Sequence, residues 1–189
     1  MLENSMREAH TMIKASRFIN EKDPHSTAVI LLLQPGRITW GYCGDSRLYC
    51  FRGRKLLTRT IDHSFVEHLV AVGKITPEQA LTHPNRNVLL TSLGGQDEPR
   101  FDFGETSDLR AGDSFILCSD GIWAYFDDDE MGALLADHSA RVACEKMIDL
   151  ARERGAGGGD NLSLAVVRLV EVELPKPKPP AGFVPRDYR

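Results

Sequence analysis

Positive charge is the first thing this chain is short of: its 189 residues carry 23 Lys and Arg against 27 Asp and Glu, a net charge of −4. Nucleic acids and anionic lipid surfaces draw their binders through a cationic excess, so neither is an expected partner. Long apolar runs are also missing. No stretch is long enough to cross a bilayer, and the opening Met1-Leu2-Glu3-Asn4 does not begin a secretory signal, so a cytoplasmic protein is expected. A hydrophobic content of 42% is nevertheless enough for one soluble domain with a core of its own.

Several catalytic signatures are missing as well. The four cysteines, Cys43, Cys50, Cys118 and Cys144, form no Cys-x-x-Cys pair and no short spacing to two histidines, which excludes a zinc knuckle. Their apolar surroundings read as small buried hydrophobes in a reducing compartment. A cysteine phosphatase loop needs an arginine six residues after the nucleophile, and those positions hold Tyr49, Leu56, Ala124 and Leu150. The run Gly155-Ala156-Gly157-Gly158-Gly159 has no Lys-Ser/Thr behind it and is a turn rather than a nucleotide loop. There is no Gly-x-Ser-x-Gly elbow of a serine hydrolase.

What is present is a helix, a set of strands, a helical insertion, and then strands alternating with helices. Leu2, Met6, Ala9 and Ile13 share one face of an opening helix, which needs a sheet to cover. Residues 27–33 and 37–43 are β-rich and flank Gln34-Pro35-Gly36, the pattern of a hairpin, and residues 47–51 and 55–58 around Arg52-Gly53-Arg54 suggest a second. Thr76-Pro77-Glu78-Gln79 reads as a capped helix start and, with residues 64–72, makes a compact helical insertion. Residues 87–92, 101–105, 113–118 and 162–169 read as strands. Residues 127–136 and 139–152 read as helices, the second with Val142, Met147 and Leu150 inward and Gly155 as its stop. The acidic run Asp127-Asp128-Asp129-Glu130 suits a helix start better than a metal site. From Pro175 the proline-lysine pattern cannot join a sheet ladder, so the domain is placed at 1–172 and a proline-rich tail or linker at 173–189.

Aspartate is the chemistry that remains. Ser119-Asp120-Gly121 follows the apolar run Phe115-Ile116-Leu117-Cys118, and Gly159-Asp160-Asn161 precedes another apolar run. Each puts a carboxylate at the end of a strand, and Gly44-Asp45-Ser46-Arg47 adds a third. Hard divalent ions such as Mg²⁺ or Mn²⁺ prefer carboxylate oxygen and water, and two of them can hold a phosphate oxygen and an attacking water in line. Singly, such dipeptides are ordinary turns. Arg47 is a candidate to pair with Asp45 or another carboxylate. His63 could donate to phosphate or water, or could fix a strand end beside Asp62, while Trp40 and Trp123 read as packing residues.

Six motifs in order carry a family resemblance: Gly44-Asp45-Ser46-Arg47, Asp62-His63-Ser64, His83-Pro84-x-Arg86-Asn87-Val88, Ser92-Leu93-Gly94-Gly95, Ser119-Asp120-Gly121 and Gly159-Asp160-Asn161. Over residues 1–169 the chain resembles the metal-dependent protein phosphatases of the PP2C (PPM) family in its bacterial form. The resemblance implies an α+β fold, an α-β-β-α sandwich of two antiparallel sheets with helices outside and a metal cluster at one end. It implies Asp120 and Asp160 as ligands of two core Mn²⁺ or Mg²⁺ ions, with Asp45 and Asp120 holding a third. Catalysis would run through Asp120 and Asp160 by way of bound metal and water, removing phosphate from phosphoserine and phosphothreonine in a protein phosphorylated by a serine/threonine kinase. Residues 65–82 resemble the mobile flap beside the active site.

The family's opening elements have no counterpart here: no phosphate-binding arginine, Asn-Glu-Asp stretch or Asp-Gly-x-Gly-Gly-His motif, whose aspartate bridges the core ions, occurs in the sequence. Residues 1–19 match the family's second helix, so the expectation is a domain incomplete at its N-terminus, with weak metal binding, little turnover alone, and self-association through exposed edges. Three functional readings stand at this point: a phosphatase, a PP2C-like binding or regulatory module without catalysis, and a phosphatase of an anti-sigma antagonist.

Overall fold

Helix α1 (Leu2–Asn20) docks through the face its spacing foretells: Met6 is buried, and Ala9 and Ile13 pack around it with Cys43 and Leu93. The same face carries His10, also buried, whose Nδ1 accepts the Gly94 N–H at 3.1 Å. Gly94 lies at φ +86, and a Cβ there would stand 2.4 Å from Ile13, so only glycine lets the Ser92–Gly95 loop close on the helix. The computed structural model describes residues 1–20, 23–156 and 161–171, the side chains of residues 19 and 20 excepted. Asp160 and the proline-rich segment from Pro175 therefore lie outside the described residues.

Two antiparallel sheets follow from the two hairpins. Strands β1 (Ala28–Gln34) and β2 (Arg37–Cys43) turn through Pro35 and Gly36, the latter at φ +73, and β2 also pairs with β5 (Asp102–Thr106). Strands β3 (Arg47–Arg52) and β4 (Lys55–Arg59) form the second hairpin, and β3 continues onto β6 (Ser114–Cys118) and then β7 (Leu164–Arg168). Alternation along β3 shows why the sheets stack: Leu48 and Cys50 face Ile38, Trp40 and Phe115 between the sheets, while Tyr49 and Phe51 face the helices on the far side. Those helices are α4 (Asp120–Trp123), α5 (Asp128–Asp137) and α6 (Ala140–Arg154), so the layer order is α1, first sheet, second sheet, α4–α6. This is the α-β-β-α sandwich expected. Asp127 caps α5, its carboxylate accepting the Glu130 N–H at 2.7 Å.

The insertion forms α2 (Phe65–Ala71) and α3 (Pro77–Leu81), and Thr76 and Gln79 close the capping box. Two expectations need correcting. Residues 87–92 form no strand: Leu89 and Leu93 make single bridges to Ser64 and Ser26, because the backbone there bonds to loop segments rather than to a ladder. The inner face of α6 is Ala143, Met147 and Ala151, spaced by one turn each, and Val142 is exposed because it precedes that stripe by one position. Gly155 ends α6 as expected, capping it in right-handed geometry, and the positive φ falls on Ala156.

Truncating the corrected face tests it. Met147→Ala is expected to cost about 2–5 kcal/mol in denaturant unfolding, whereas Val142→Ala stays within about 0.5 kcal/mol. Equal costs would return Val142 to the core.

Candidate metal centre

Strand register delivers two aspartates to one end of the sandwich. Arg47, first in β3, pairs with Cys118, last in β6. Asp45 precedes the one by two residues and Asp120 follows the other by two, so both leave the ladder at the same end. Strand β7 begins opposite Cys118 as well, with Leu164. Just before it, the Ser119 hydroxyl donates to the Asn161 carbonyl at 3.1 Å and accepts the Ser163 N–H at 3.1 Å. A Cβ at position 121 would stand 2.7 Å from the Asn161 carbonyl oxygen, so the glycine after Asp120 is required by this close approach. Asp120 opens α4 and its Oδ1 accepts the Gly121 N–H at 2.9 Å.

Asp45 lies in the short link that carries the chain from the first sheet to the second. Gly44 before it has φ +100, and a Cβ there would meet the Thr27 methyl at 2.4 Å. His63 clamps this link from one side, its main-chain N–H donating to the Gly44 carbonyl at 2.9 Å and its Nδ1 accepting the Gly44 N–H at 3.2 Å. That acceptor role assigns the ring proton to Nε2, which donates to Asp102 at 3.2 Å. Burial holds His63 below the usual histidine range, although Asp102 opposes it, so the ring is neutral near pH 7. Both ring nitrogens are thus committed to structure, and His63 is the fixing residue rather than the phosphate donor among the two roles open to it.

Burial first, and then the negative charges of Asp120 and Asp62, together push the Asp45 carboxyl up to about 6. At Asp45 the nearby negative charges outweigh the opposing charge of Arg47, a local deficit of positive charge. Arg47 does not make good the deficit, because its guanidinium is turned to Asp62 in a two-point pair of 2.8 and 2.7 Å. Burial works against the Arg47 charge, and Asp62 more than offsets it. With the two side chains only 15% and 8% exposed, loss of either partner strands the other charge at a cost of about 3–5 kcal/mol. Trp123 is more than the packing residue expected from its neighbours: its indole N–H donates to the Asp45 carbonyl at 2.9 Å, and Arg47 stacks on its ring at 3.6 Å.

No family model matches the chain. The serine/threonine protein phosphatase PstP of Mycobacterium tuberculosis is 34% identical over 155 residues, 82% of this chain and 29% of PstP. Protein phosphatase PhpP of Streptococcus pneumoniae is 33% identical over 147 residues, 77% of this chain and 58% of PhpP. The crystal structure of the M. tuberculosis phosphatase PstP/Ppp superimposes with a TM-score of 0.78 at 32% identity, covering 90% of this chain and 72% of that one. The chain belongs to the PP2C (PPM) family of serine/threonine protein phosphatases. It spans 29% and 58% of the lengths of these two curated relatives. A second structure of the PstP catalytic domain, at TM-score 0.72 and 30% identity, is described as a complex with 2 manganese ions.

Of the three aspartates that the PP2C pattern singles out, the fold brings Asp45 and Asp120 together, and Asp160 lies outside the described residues. Among the described residues no three His, Cys, Asp or Glu side chains gather as a metal-binding group. The pair present is nevertheless chemically suited to a hard divalent ion: all-oxygen donors, with an excess of negative charge that a cation would neutralise. Sequence reasoning left the roles of Arg47 and His63 open and read Trp123 as packing only. The one sequence signal for the Arg47–Asp62 pair is that each sits inside a family motif.

The sign of the Asp45 shift gives a stability test. The folded protein keeps a proton on Asp45 that the unfolded chain releases between the usual value of 3.8 and about 6, so stability falls as pH rises through that window. Metal-free Asp45→Asn escapes this loss. Its unfolding free energy relative to the parent is expected to rise by about 1–2 kcal/mol from about pH 4 to about pH 7.5, after allowance for solvent screening. A pH-independent difference would show that burial and the neighbouring charges do not raise Asp45.

Proposed function

We propose that this chain is the catalytic part of a protein serine/threonine phosphatase that hydrolyses phosphoserine and phosphothreonine with Mn²⁺ or Mg²⁺. The observation that carries the reading is the electrostatic repulsion between Asp45 and Asp120 at the strand ends, in a chain that belongs to the PP2C family. Asp120 and Asp160 would hold the two core ions, and Asp45 with Asp120 a third. The manganese reported in the PstP catalytic domain supports this assignment. Bound Mn²⁺ or Mg²⁺ supplies Lewis acidity toward the phosphoryl oxygens and an acidified water for attack.

The chain's own residues supply position. Gly44 and His63 set the Asp45 link, and Gly121 lets Asp120 approach the segment that leads into β7. Beside Asp62 and His63 a cavity of about 400 Å³ opens toward α2, lined also by Ile61, Glu67, His68 and Arg100. We assign this cleft and the α2–α3 insertion to substrate access, with a phosphorylated protein, the product of a serine/threonine kinase, as the partner. The 189 residues contain no Asp-Gly-x-Gly-Gly-His motif to supply a bridging carboxylate. Two cations a few ångströms apart repel strongly without one, so this polypeptide alone is assigned weak metal affinity and low turnover.

Phosphate release from a phosphothreonine peptide, measured against Mn²⁺ concentration, tests the reading. Activity is expected to depend on Mn²⁺ and to half-saturate at higher concentration than the PstP catalytic domain measured alongside. Asp120→Ala is expected to lower turnover beyond the about 10–100-fold that loss of an outer-shell partner costs. Metal-independent hydrolysis, or an Asp120→Ala variant as active as its parent, overturns it.

A further inference from the structure

We infer that Trp123 is a positioning residue for the Asp45 carboxylate, acting through the Asp45 main chain and held in place by Arg47. The inference rests on the metal-centre reading above and adds to it a residue outside the set of aspartates. Asp45 lies between β2 and β3, outside both ladders, and its carbonyl accepts the Trp123 indole N–H at 2.9 Å. The indole is fixed in turn. The Arg47 guanidinium covers its ring at 3.6 Å, and Arg47 is itself pinned by the two-point pair to Asp62 and by a 3.1 Å bond to the Tyr49 hydroxyl.

The position of Trp123 on α4 gives this contact its consequence. Trp123 follows Asp120 by three residues on the same short helix, and residues so spaced lie side by side. One turn of helix therefore carries the second carboxylate and also the donor that fixes the backbone of the first. The separation of the two acidic arms is set by α4 and not by the freedom of the Gly44–Ser46 link. His63 holds the opposite side of that link through Gly44. A tryptophan present for packing alone would need no N–H at this point, and phenylalanine would serve.

The test is Mn²⁺ binding by calorimetry on the full 189-residue chain, as parent, Asp45→Asn, Trp123→Phe and the double variant. Phenylalanine keeps a ring beneath Arg47 and removes only the donor. Trp123→Phe is expected to weaken the Asp45-dependent binding by about 10-fold. In the Asp45→Asn background the same change is expected to add nothing, since residues acting through one group are not additive. Parental affinity in Trp123→Phe, or losses that multiply in the double variant, overturns the inference alone. Parental affinity in Asp45→Asn overturns the metal-centre reading and this inference with it. A measurement on the parent protein covers the case in which Trp123→Phe does not fold. Of the two indole N–H resonances, assigned with Trp40→Phe, that of Trp123 is expected to broaden first as Mn²⁺ is added, and broadening of Trp40 first or together would sink the proposal.

Discussion

The centre depends on a repulsion: two carboxylates held at the same strand end, where burial and mutual charge make the ionised pair costly. Left to itself a chain would let them separate. Here they cannot, because Asp45 and Asp120 are each two residues from the same register pair, Arg47 opposite Cys118, in the middle of a sheet buried on both faces. A slip of one residue in that pairing would turn Leu48 and Cys50 away from the core between the sheets. The burial of β3 on both faces, which fixes its register, thus holds the acidic pair together.

Around Asp45 the nearby negative charges outweigh the opposing charge of Arg47. Arg47, the cation that could quench Asp45, is committed to Asp62 and to the face of Trp123. Asp62 in its turn adds to the negative field at Asp45. His63 is kept neutral and spends both nitrogens on Gly44 and Asp102. An arrangement that leaves Asp45 short of positive charge, inside well-satisfied surroundings, lowers stability locally in the way functional sites commonly do. Such a deficit is what a divalent cation would relieve.

Most elements were legible from local pattern because their signals are local: the Pro35-Gly36 turn, the Thr76-Gln79 capping box, and the runs flanking Arg52-Gly53-Arg54. Residues 87–92 misled because an apolar run looks like a strand whether or not a neighbour offers a ladder, and Val88 and Leu90 end up exposed. The face of α6 was misplaced because Val142 outranks Ala143 in hydrophobicity, although the close approach to the core selects the small Ala143 and Ala151. At the site, the aspartates were visible as strand-end residues inside turn motifs. Their supporting partners were not: Asp62 lies 15 residues from Arg47, and Trp123 lies 78 from Asp45.

By itself the sequence determined the kinds of element, the class of ligand chemistry and, through six ordered motifs, the family. Each of these rests on residue type and short spacing, which survive without coordinates. Tertiary structure alone decided that Asp45 and Asp120 share one end of the sandwich, that Arg47 answers to Asp62, and that an indole holds the Asp45 main chain. Those outcomes depend on sheet register and on contacts between distant segments, and a pairwise interaction across many residues of chain leaves no periodicity to read.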